Sequence, residues 1–276
     1  MNEEKTKGQQ LQELLFNKRE NGVDFMDDAE LGVCDDFCEG YKDFLYHCKT
    51  EREAAAQALD QARAAGVLPF DEFGDQLEPG AKVYKMNRGK AIILCVKGKR
   101  SIKDGVRIAA AHIDSPRIDL KQRPVYEDNG LALFKTHYYG GIKKYQWSVI
   151  PLAIHGVVVK TNGEKVDIHI GEEDDDPVFC LTDLLPHLAK DQSERKMRDV
   201  IKGEEMNIII GCLPYDDEDV KEAVKLQTLV LLNEKYGITE REFINAELEV
   251  VPAGRARDVG FDRGMIGSYG HDDRGC

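Results

Sequence analysis

The chain has 276 residues, of which 42% are hydrophobic, and its 51 acidic and 38 basic side chains give a formal net charge of −13. This length suits one large domain or two ordinary ones, with enough apolar residues for a packed core. The negative charge argues against nucleic acid as the main partner, because neutralising phosphates requires a basic face. No apolar run approaches the roughly 18 residues of a membrane-spanning helix, so no membrane association is expected.

Helices are predicted for the first part of the chain. Apolar periodicity indicates them at 3–19 and 27–48. A capping box at Thr50–Glu53 opens a third, which ends at Gly66. Two short β runs at 82–97, separated by Arg88-Gly89-Lys90, predict a hairpin. The small-residue apolar run at 106–112 is typical of a strand buried on both faces.

From about residue 117 the pattern becomes β-rich. Asn162-Gly163 between two alternating runs predicts a tight hairpin turn. A short helix at 181–191, a strand at 207–214, a helix at 218–237 and a strand at 245–251 follow, before a Gly-rich tail that we expect to form loops. This order predicts an α/β domain, interrupted by an inserted domain of ordinary size.

The cysteines and one acidic run raise two metal hypotheses of low weight. Seven cysteines, an odd and scattered number, fit reduced thiols of the cytoplasm rather than a disulfide framework. Cys34, Cys38 and Cys48 fall in one predicted helical stretch, with no fourth ligand to complete a zinc spacing. The acidic run at 172–177 lacks the Gly and the distal Glu of a calcium-binding EF-hand loop, so a solvated loop is expected.

His112 and Asp114 follow the predicted buried strand and precede Ser115-Pro116. Side chains two positions apart on an extended chain point the same way, so both should face the carboxyl end of the strand. A metal-binding imidazole usually donates its second N–H to a carboxylate, and His-x-Asp supplies both groups. A His–Asp pair that only caps a strand remains open from these residues alone.

The second motif, at 270–274, is Gly-His-Asp-Asp-Arg. The adjacent carboxylates of Asp272 and Asp273 repel each other unless a cation compensates. A divalent metal or Arg274 would do so, and a surface ion pair is the alternative. A supporting role behind Asp272 is one interpretation of His271, but adjacent side chains on an extended chain are expected to point apart.

Taken together and in this order, His-x-Asp-Ser-Pro, an insertion of domain size and Gly-x-Asp-Asp-Arg resemble the aspartyl aminopeptidase family of zinc metallopeptidases. The Tyr-Gly-Gly at 139–141, the Trp and Val-rich strand that follow, and the run LLPHLAKD at 184–191 strengthen the likeness. The resemblance covers the chain from about residue 10 to its last residue.

The resemblance implies an α/β/α zinc-exopeptidase-type catalytic domain, interrupted by a β-rich dimerisation domain. Residues 1–116 and 251–276 would belong to the catalytic domain, and residues 117–250 to the insertion. His112 would bind one metal, Asp114 would orient the site, and Asp272 would bridge two divalent metal ions, expected to be Zn²⁺. The bond between Asp272 and Asp273 would be cis. The implied substrate is a peptide, whose amino-terminal residue, Asp or Glu by the family's name, is removed. The implied assembly is a homo-oligomer built from dimers, up to a dodecamer, in the cytoplasm.

One departure from the family pattern opens an alternative function. The family's general-base Glu and its remaining metal ligands follow the bridging Asp, whereas this sequence has four residues after Asp272. The chain as given is therefore expected to hydrolyse no peptide and to aggregate easily. The alternative is a catalytically incomplete amino-terminal portion that acts only as a dimerisation or assembly chain.

The other histidines receive weaker assignments. His137, beside the Tyr-Gly-Gly motif, is interpreted as part of an aromatic turn, with a substrate role as the alternative. His187 is interpreted as buried packing on a short helix, with a role toward a neighbouring subunit as the alternative. His155 and His169 lie inside predicted strands and are interpreted as structural.

Overall fold

The computed structural model describes residues 5–17, 19–73 and 77–270. The chain divides into two units, Met1–Tyr41 and Lys42–Cys276. Helices and strands are both well represented in the described part, so the predicted α/β class holds. None of the described helices combines the length and the apolar character that crossing a lipid bilayer requires.

Two predicted helices begin the chain. Helix α1 spans Lys7–Leu15 and starts at a capping box, in which Thr6 Oγ1 accepts from the Gln9 amide and the Gln9 side chain accepts from the Thr6 amide. Helix α2 spans Asp28–His47. Both helices are therefore confirmed, the first of them shorter than predicted.

The third helix and the first hairpin also match their sequence signals. Helix α3 spans Glu51–Ala64, and the Thr50 side chain caps it in a reciprocal pair with Glu53. Strands β1 (Leu68–Pro69), β2 (Lys82–Asn87) and β3 (Ala91–Val96) form a small sheet in that order. Arg88 and Gly89 make the β2–β3 turn with positive φ values of 54° and 71°, the backbone of a tight hairpin.

The main body of the fold is a six-stranded sheet with the order β7-β6-β9-β4-β5-β8. Every neighbouring pair in it is antiparallel. Its strands are β4 (Arg117–Asp128), β5 (Leu131–Tyr139), β6 (Leu152–Val159), β7 (Lys165–Ile170), β8 (Ile208–Gly211) and β9 (Ala246–Pro252).

Glycine sets the geometry of this sheet at two positions. Gly163 has a φ of 85° in the turn between β6 and β7, which confirms the predicted hairpin. Gly156 in β6 has a φ of 140°, and a Cβ there would lie 2.0 Å from the carbonyl oxygen of Glu247 on β9. Only glycine lets the two strands approach this closely.

The hydrophobic core lies on the six-stranded sheet and the elements packed against it. Helix α5 (Ala223–Tyr236) packs against β4, β5 and β8 and ends at Gly237, whose φ of 64° is that of a helix C-cap. The fully buried core side chains come mostly from the strands and include Ile118, Leu152, Val158, Leu181, Met206, Ile208 and Val250. This core falls almost entirely within the predicted inserted domain, whose boundaries at 117 and 250 stay predictions.

Two sequence predictions for the second half are wrong. The helix predicted at 181–191 is reduced to the four-residue α4, Lys190–Ser193. Pro186 disfavours a helical conformation at Leu185, and the Asp183 carboxylate caps the Leu184 amide locally instead. The tail predicted to form loops contains a short hairpin of β10 (Arg257–Val259) and β11 (Met265–Gly267).

Candidate functional site

The segment at 106–116, here called the motif segment, carries His112 and Asp114. It is not the buried strand that its sequence predicts: residues 106–112 have no strand assignment and are exposed, with Ile108 81% exposed. A strand buried on both faces depends on hydrogen bonds to strands on either side. Within the described residues no strand pairs with this segment, which explains the difference.

His112 and Asp114 nevertheless contact each other as predicted. His112 Nδ1 lies 3.1 Å from Asp114 Oδ1 and 2.8 Å from the Asp114 carbonyl oxygen. The carboxylate thus occupies the Nδ1 side of the ring. In metal sites this contact fixes the tautomer and orients Nε2 toward the ion.

Tyr139, at the end of β5, holds the other oxygen of Asp114. Its hydroxyl donates to Asp114 Oδ2 over 2.5 Å, and this hydrogen bond keeps the pKa of Asp114 below its usual range. The Arg117 guanidinium lies 4.2 Å from the centre of the Tyr139 ring, a cation–π distance. The sequence motifs assign no supporting role to Tyr139, although Tyr-Gly-Gly marks its position.

Arg117 is itself fixed by buried carboxylates. Its Nε lies 2.8 Å from Asp119 and 3.1 Å from Glu249, and its Nη1 lies 3.3 Å from Glu51. Three carboxyl groups thus share one guanidinium. Burial raises the pKa of Glu249 to about 8, with repulsion from Glu51 as the next cause, so Glu249 retains its proton near neutral pH.

These groups surround an open cavity of about 410 Å³. Its polar lining consists of Glu51, Lys90, His112, Asp114, Arg117 and Tyr139. The cavity combines an imidazole, carboxylates and cations, the inventory of a hydrolytic or ion-binding site.

Asp272, which would share the metal site with His112, belongs to residues 271–276, outside the described part of the chain, as do His271, Asp273 and Arg274. The metal-binding role of Asp272 and the cis bond after it therefore stay predictions. The residues just before them are described. The Tyr269 hydroxyl donates to the Pro116 carbonyl over 2.9 Å, and a Cβ on Gly270 would lie 3.6 Å from Ser115 Oγ. The chain thus returns to the first motif across 153 positions.

A second polar cluster joins the start of α3 to strands β6 and β7. We call it the α3 junction: Lys49, Glu53, His155, His169 and Glu172. His155 lies between two carboxylates, with Nδ1 2.7 Å from Glu53 and Nε2 2.9 Å from Glu172. Burial alone would lower the pKa of His155, but the hydrogen bonds with Glu172 and Glu53 outweigh it and raise the pKa to about 9.

Only some features of the α3 junction were predicted from the sequence. His155 and His169 do lie in strands, as predicted. Glu172 was expected in a solvated acidic loop, yet its side chain is only 9% exposed and binds Lys49. No local pattern marks such pairs, because they join residues more than 100 positions apart.

His137 and His187 lie outside both the cavity at the motif segment and the α3 junction. His137 is exposed on β5. His187 is exposed in a turn, so its interpretation as buried packing is wrong. Neither of the two potential metal-ligand groups among the described residues includes a cysteine; they are Glu53–His155–His169 and Glu51–Glu247–Glu249.

The described residues bring the His-x-Asp motif and Gly270, the first residue of Gly-His-Asp-Asp-Arg, to one place, an arrangement expected of a metallohydrolase. A family profile agrees: that of "Aminopeptidase I zinc metalloprotease (M18)" matches residues 44–276. The chain therefore belongs to the M18 family of zinc metallopeptidases, which confirms the resemblance given by its motifs.

Individual relatives support this assignment. The chain is 49% identical over 265 residues to a Clostridium acetobutylicum protein named "Probable M18 family aminopeptidase 1", covering 95% of this chain and 57% of the relative. A Borreliella burgdorferi protein of the same name is 46% identical over 260 residues, covering 94% of this chain and 56% of the relative. The chain thus spans about half the length of the curated relatives it matches.

Solved structures give the same fold. The M18 aminopeptidase of Thermotoga maritima matches with a TM-score of 0.86 and 44% identity, over 94% of this chain and 56% of that one. A yeast aminopeptidase described as a dodecamer matches with a TM-score of 0.60 and 19% identity, over 85% of this chain and 52% of that one. The second likeness shows the fold alone.

Proposed function

We propose that the gene product containing these residues is a metal-dependent aminopeptidase, which removes the amino-terminal residue of a peptide. His112 is a metal ligand, Asp114 orients the site, and Asp272 is the ligand shared by two divalent ions. The observation that carries the proposal is the contact of Tyr269 with Pro116, because it brings the chain that leads to Asp272 back to the motif segment.

The donor set around His112 fits a zinc ion. Zinc accepts imidazole nitrogen and carboxylate oxygen, and a carboxylate behind the imidazole is the usual support. When bound, zinc supplies Lewis acidity, which polarises a carbonyl and makes a coordinated water more acidic. Asp114 holds the His112 ring through Nδ1. Tyr139 in turn fixes Asp114, so the ring is oriented before substrate or metal arrives.

Family membership supports a proposal for the substrate and for the assembly. A peptide with a free amino end is the substrate, and the family's name favours Asp or Glu as the residue removed. We propose a homo-oligomer in which the β-rich region forms the dimer contact and dimers assemble further, up to a dodecamer. The yeast protein of the same fold, described as a dodecamer, supports such an assembly.

A peptidase assay tests the proposal. The gene product should release amino-terminal Asp or Glu from peptides in the presence of Zn²⁺, Co²⁺ or Mn²⁺. His112→Ala should abolish turnover, and His187→Ala, an exposed turn histidine, should not. Turnover retained by His112→Ala would contradict the assigned ligand.

The 276-residue chain, assayed alone, tests the alternative function. We expect it to form oligomers without hydrolysing peptides. Hydrolysis needs a general base and full metal coordination, and His112, Asp114 and Asp272 would supply only part of these. Turnover by this chain that is lost in His112→Ala would instead show a working site within it.

A further inference from the structure

Three metal-ligating side chains converge at the α3 junction. Glu53 Oε1 lies 2.7 Å from His155 Nδ1 and 3.2 Å from His169 Nδ1. All three donor atoms lie within 4.8 Å of one another. Ligand atoms around a tetrahedral Zn²⁺ ion are about 3.3 Å apart, given bonds of about 2.0–2.1 Å. The 3.2 Å distance to His169 is close to an edge of such a tetrahedron, whereas the 2.7 Å distance to His155 must lengthen by about 0.6 Å when an ion binds.

We propose that Glu53, His155 and His169 form a second metal site, which binds one divalent transition-metal ion such as Zn²⁺ and ties α3 to strands β6 and β7. The site shares no residue with the cavity at the motif segment. The proposal is independent of the proposed peptidase function. With three protein ligands, a fourth coordination position would be filled by water.

The buried His155 and the partly buried Glu53 are already oriented by their neighbours. His155 Nε2 contacts Glu172 at 2.9 Å, the carboxylate–histidine arrangement that supports metal-bound imidazoles. Glu172 is held in turn by Lys49 and by the Gly254 amide. Glu53 Oε2 accepts from the backbone amides of Lys49 and Thr50 at 2.9 and 3.0 Å, which directs its other oxygen toward the histidines.

The strand register fixes the two histidines relative to each other. His155 on β6 and His169 on β7 are directly opposite partners, and their ring centroids are 5.1 Å apart. His155 is 3% exposed, whereas the His169 side chain is 54% exposed. The site thus has a rigid buried half and an open half, through which an ion can enter.

The competing explanation is that His155 is protonated and that no metal binds. An imidazolium between Glu53 and Glu172 accounts for the position of His155. The metal-free alternative then needs His169 to donate its Nδ1–H to the same oxygen of Glu53, 3.2 Å away. With neutral histidines, two carboxylates and Lys49 leave one net negative charge, which favours a cation at this site.

Metal titration of the 276-residue chain tests the site. The experiment uses a His112→Ala background, so that failure of the proposed peptidase ligand does not affect the result. Co²⁺ is the probe, because its visible bands report a four-coordinate nitrogen and oxygen site without the charge-transfer absorption of cysteine thiolates. Competition with Zn²⁺ then gives the zinc affinity.

We expect one bound ion per chain. His169→Ala should weaken binding more than about tenfold, and Glu172→Gln about 10–100-fold, the usual cost of losing a supporting carboxylate. His47→Ala is the matched control. Its side chain is also 54% exposed and pairs with one carboxylate, Asp43, at 3.4 Å, and it should bind as the background does.

Thermal unfolding gives a second measurement. An ion that binds only the folded chain raises its melting temperature, so Zn²⁺ should raise it in the background and in His47→Ala but not in His169→Ala. Circular dichroism checks that each variant is folded. Absence of Co²⁺ binding, or an affinity unchanged by His169→Ala, would overturn the proposal and leave a proton as the occupant of the α3 junction.

Discussion

The α3 junction and the motif segment are both polar centres, but they are packed in opposite ways. In the α3 junction Lys49 is 2% exposed and its ammonium group contacts Glu172 and two carbonyl oxygens. In the motif segment the side chains of His112 and Asp114 are 43% and 34% exposed, and Asp114 accepts a hydrogen bond from Tyr139. The ion pair at the first centre is buried within the fold, whereas the motif residues of the second are exposed on an open cavity.

This difference shows where family motifs and folding determinants separate. His112 and Asp114 are close in sequence and form a recognisable motif. Lys49 and Glu172 are 123 positions apart and form none. The buried ion pair is therefore visible only in the structure, whereas the candidate site residues are proposed from a motif in the sequence.

The largest expected effect is that of Lys49→Met in the α3 junction. Removing one partner of a buried ion pair leaves an uncompensated charge and costs about 3–5 kcal/mol. Glu172 would keep only His155 as a neutralising partner, and the carbonyl oxygens of Pro252 and Gly254 would lose their donor. Urea unfolding at neutral pH measures the change in the free energy of unfolding.

The matched control for this prediction is Lys121→Met. Lys121 pairs with Glu204 at 2.8 Å, but on the surface, where Glu204 is 88% exposed. Such a pair contributes about 0–1 kcal/mol. Equal effects of the two substitutions would contradict the conclusion that the buried Lys49–Glu172 pair stabilises the fold more than a surface pair does.

Local signals predicted much of the fold correctly. Thr50 and Glu53 give the capping box of α3, and Asn162-Gly163 gives the β6–β7 hairpin, because these structures depend on residues a few positions apart. The prediction of a strand at 106–112 was wrong because a strand depends on residues that are distant in the sequence. A strand needs partners, and its own sequence cannot supply them.

The same distinction between local and distant contacts holds at the candidate site. The contact between His112 and Asp114 was predicted from their spacing, whereas the support that Tyr139 gives to Asp114 was not predicted. Its hydrogen bond to Asp114 spans 25 positions and follows from the path of β5, which no local pattern encodes. The pairing of His155 with Glu53 was missed for the same reason, across 102 positions.

A second prediction concerns pH and Glu249, the buried carboxyl group behind the motif segment. Its pKa is raised to about 8 in the folded chain, against about 4.3 for an unperturbed Glu. Between these pH values the folded chain binds more protons than the unfolded chain. The free energy of unfolding therefore falls as pH rises through this window, by at most about 1.4 kcal/mol per pH unit.

Glu249→Gln removes this titrating group, so its share of the pH dependence should disappear. Urea unfolding between about pH 5 and 8 compares the slopes of the variant and the parent. Glu204→Gln, at an exposed carboxylate, should retain the parental slope. An unchanged slope in Glu249→Gln would mean that Arg117 keeps Glu249 ionised in spite of its burial.

The smallest expected effect is that of Tyr139→Phe on the motif segment. The lost hydrogen bond to Asp114 contributes about 0.5–1.5 kcal/mol, and it anchors an exposed segment outside the core. The effect should therefore be on local opening rather than on global unfolding. Trypsin cleavage after the exposed Arg107 should accelerate by at most about tenfold, because about 1.4 kcal/mol corresponds to a factor of ten.

The neighbouring residue provides the matched control for this local effect. Tyr138 is 45% exposed, similar to the 42% of Tyr139, and contacts Lys144 instead of Asp114. Tyr138→Phe should leave cleavage after Arg107 unchanged, and both variants should unfold in urea at the parental midpoint. If Tyr139→Phe lowered that midpoint without faster cleavage, the motif segment would be part of the cooperative core. The contrast with the α3 junction would then be lost, because both centres would stabilise the fold in the same way.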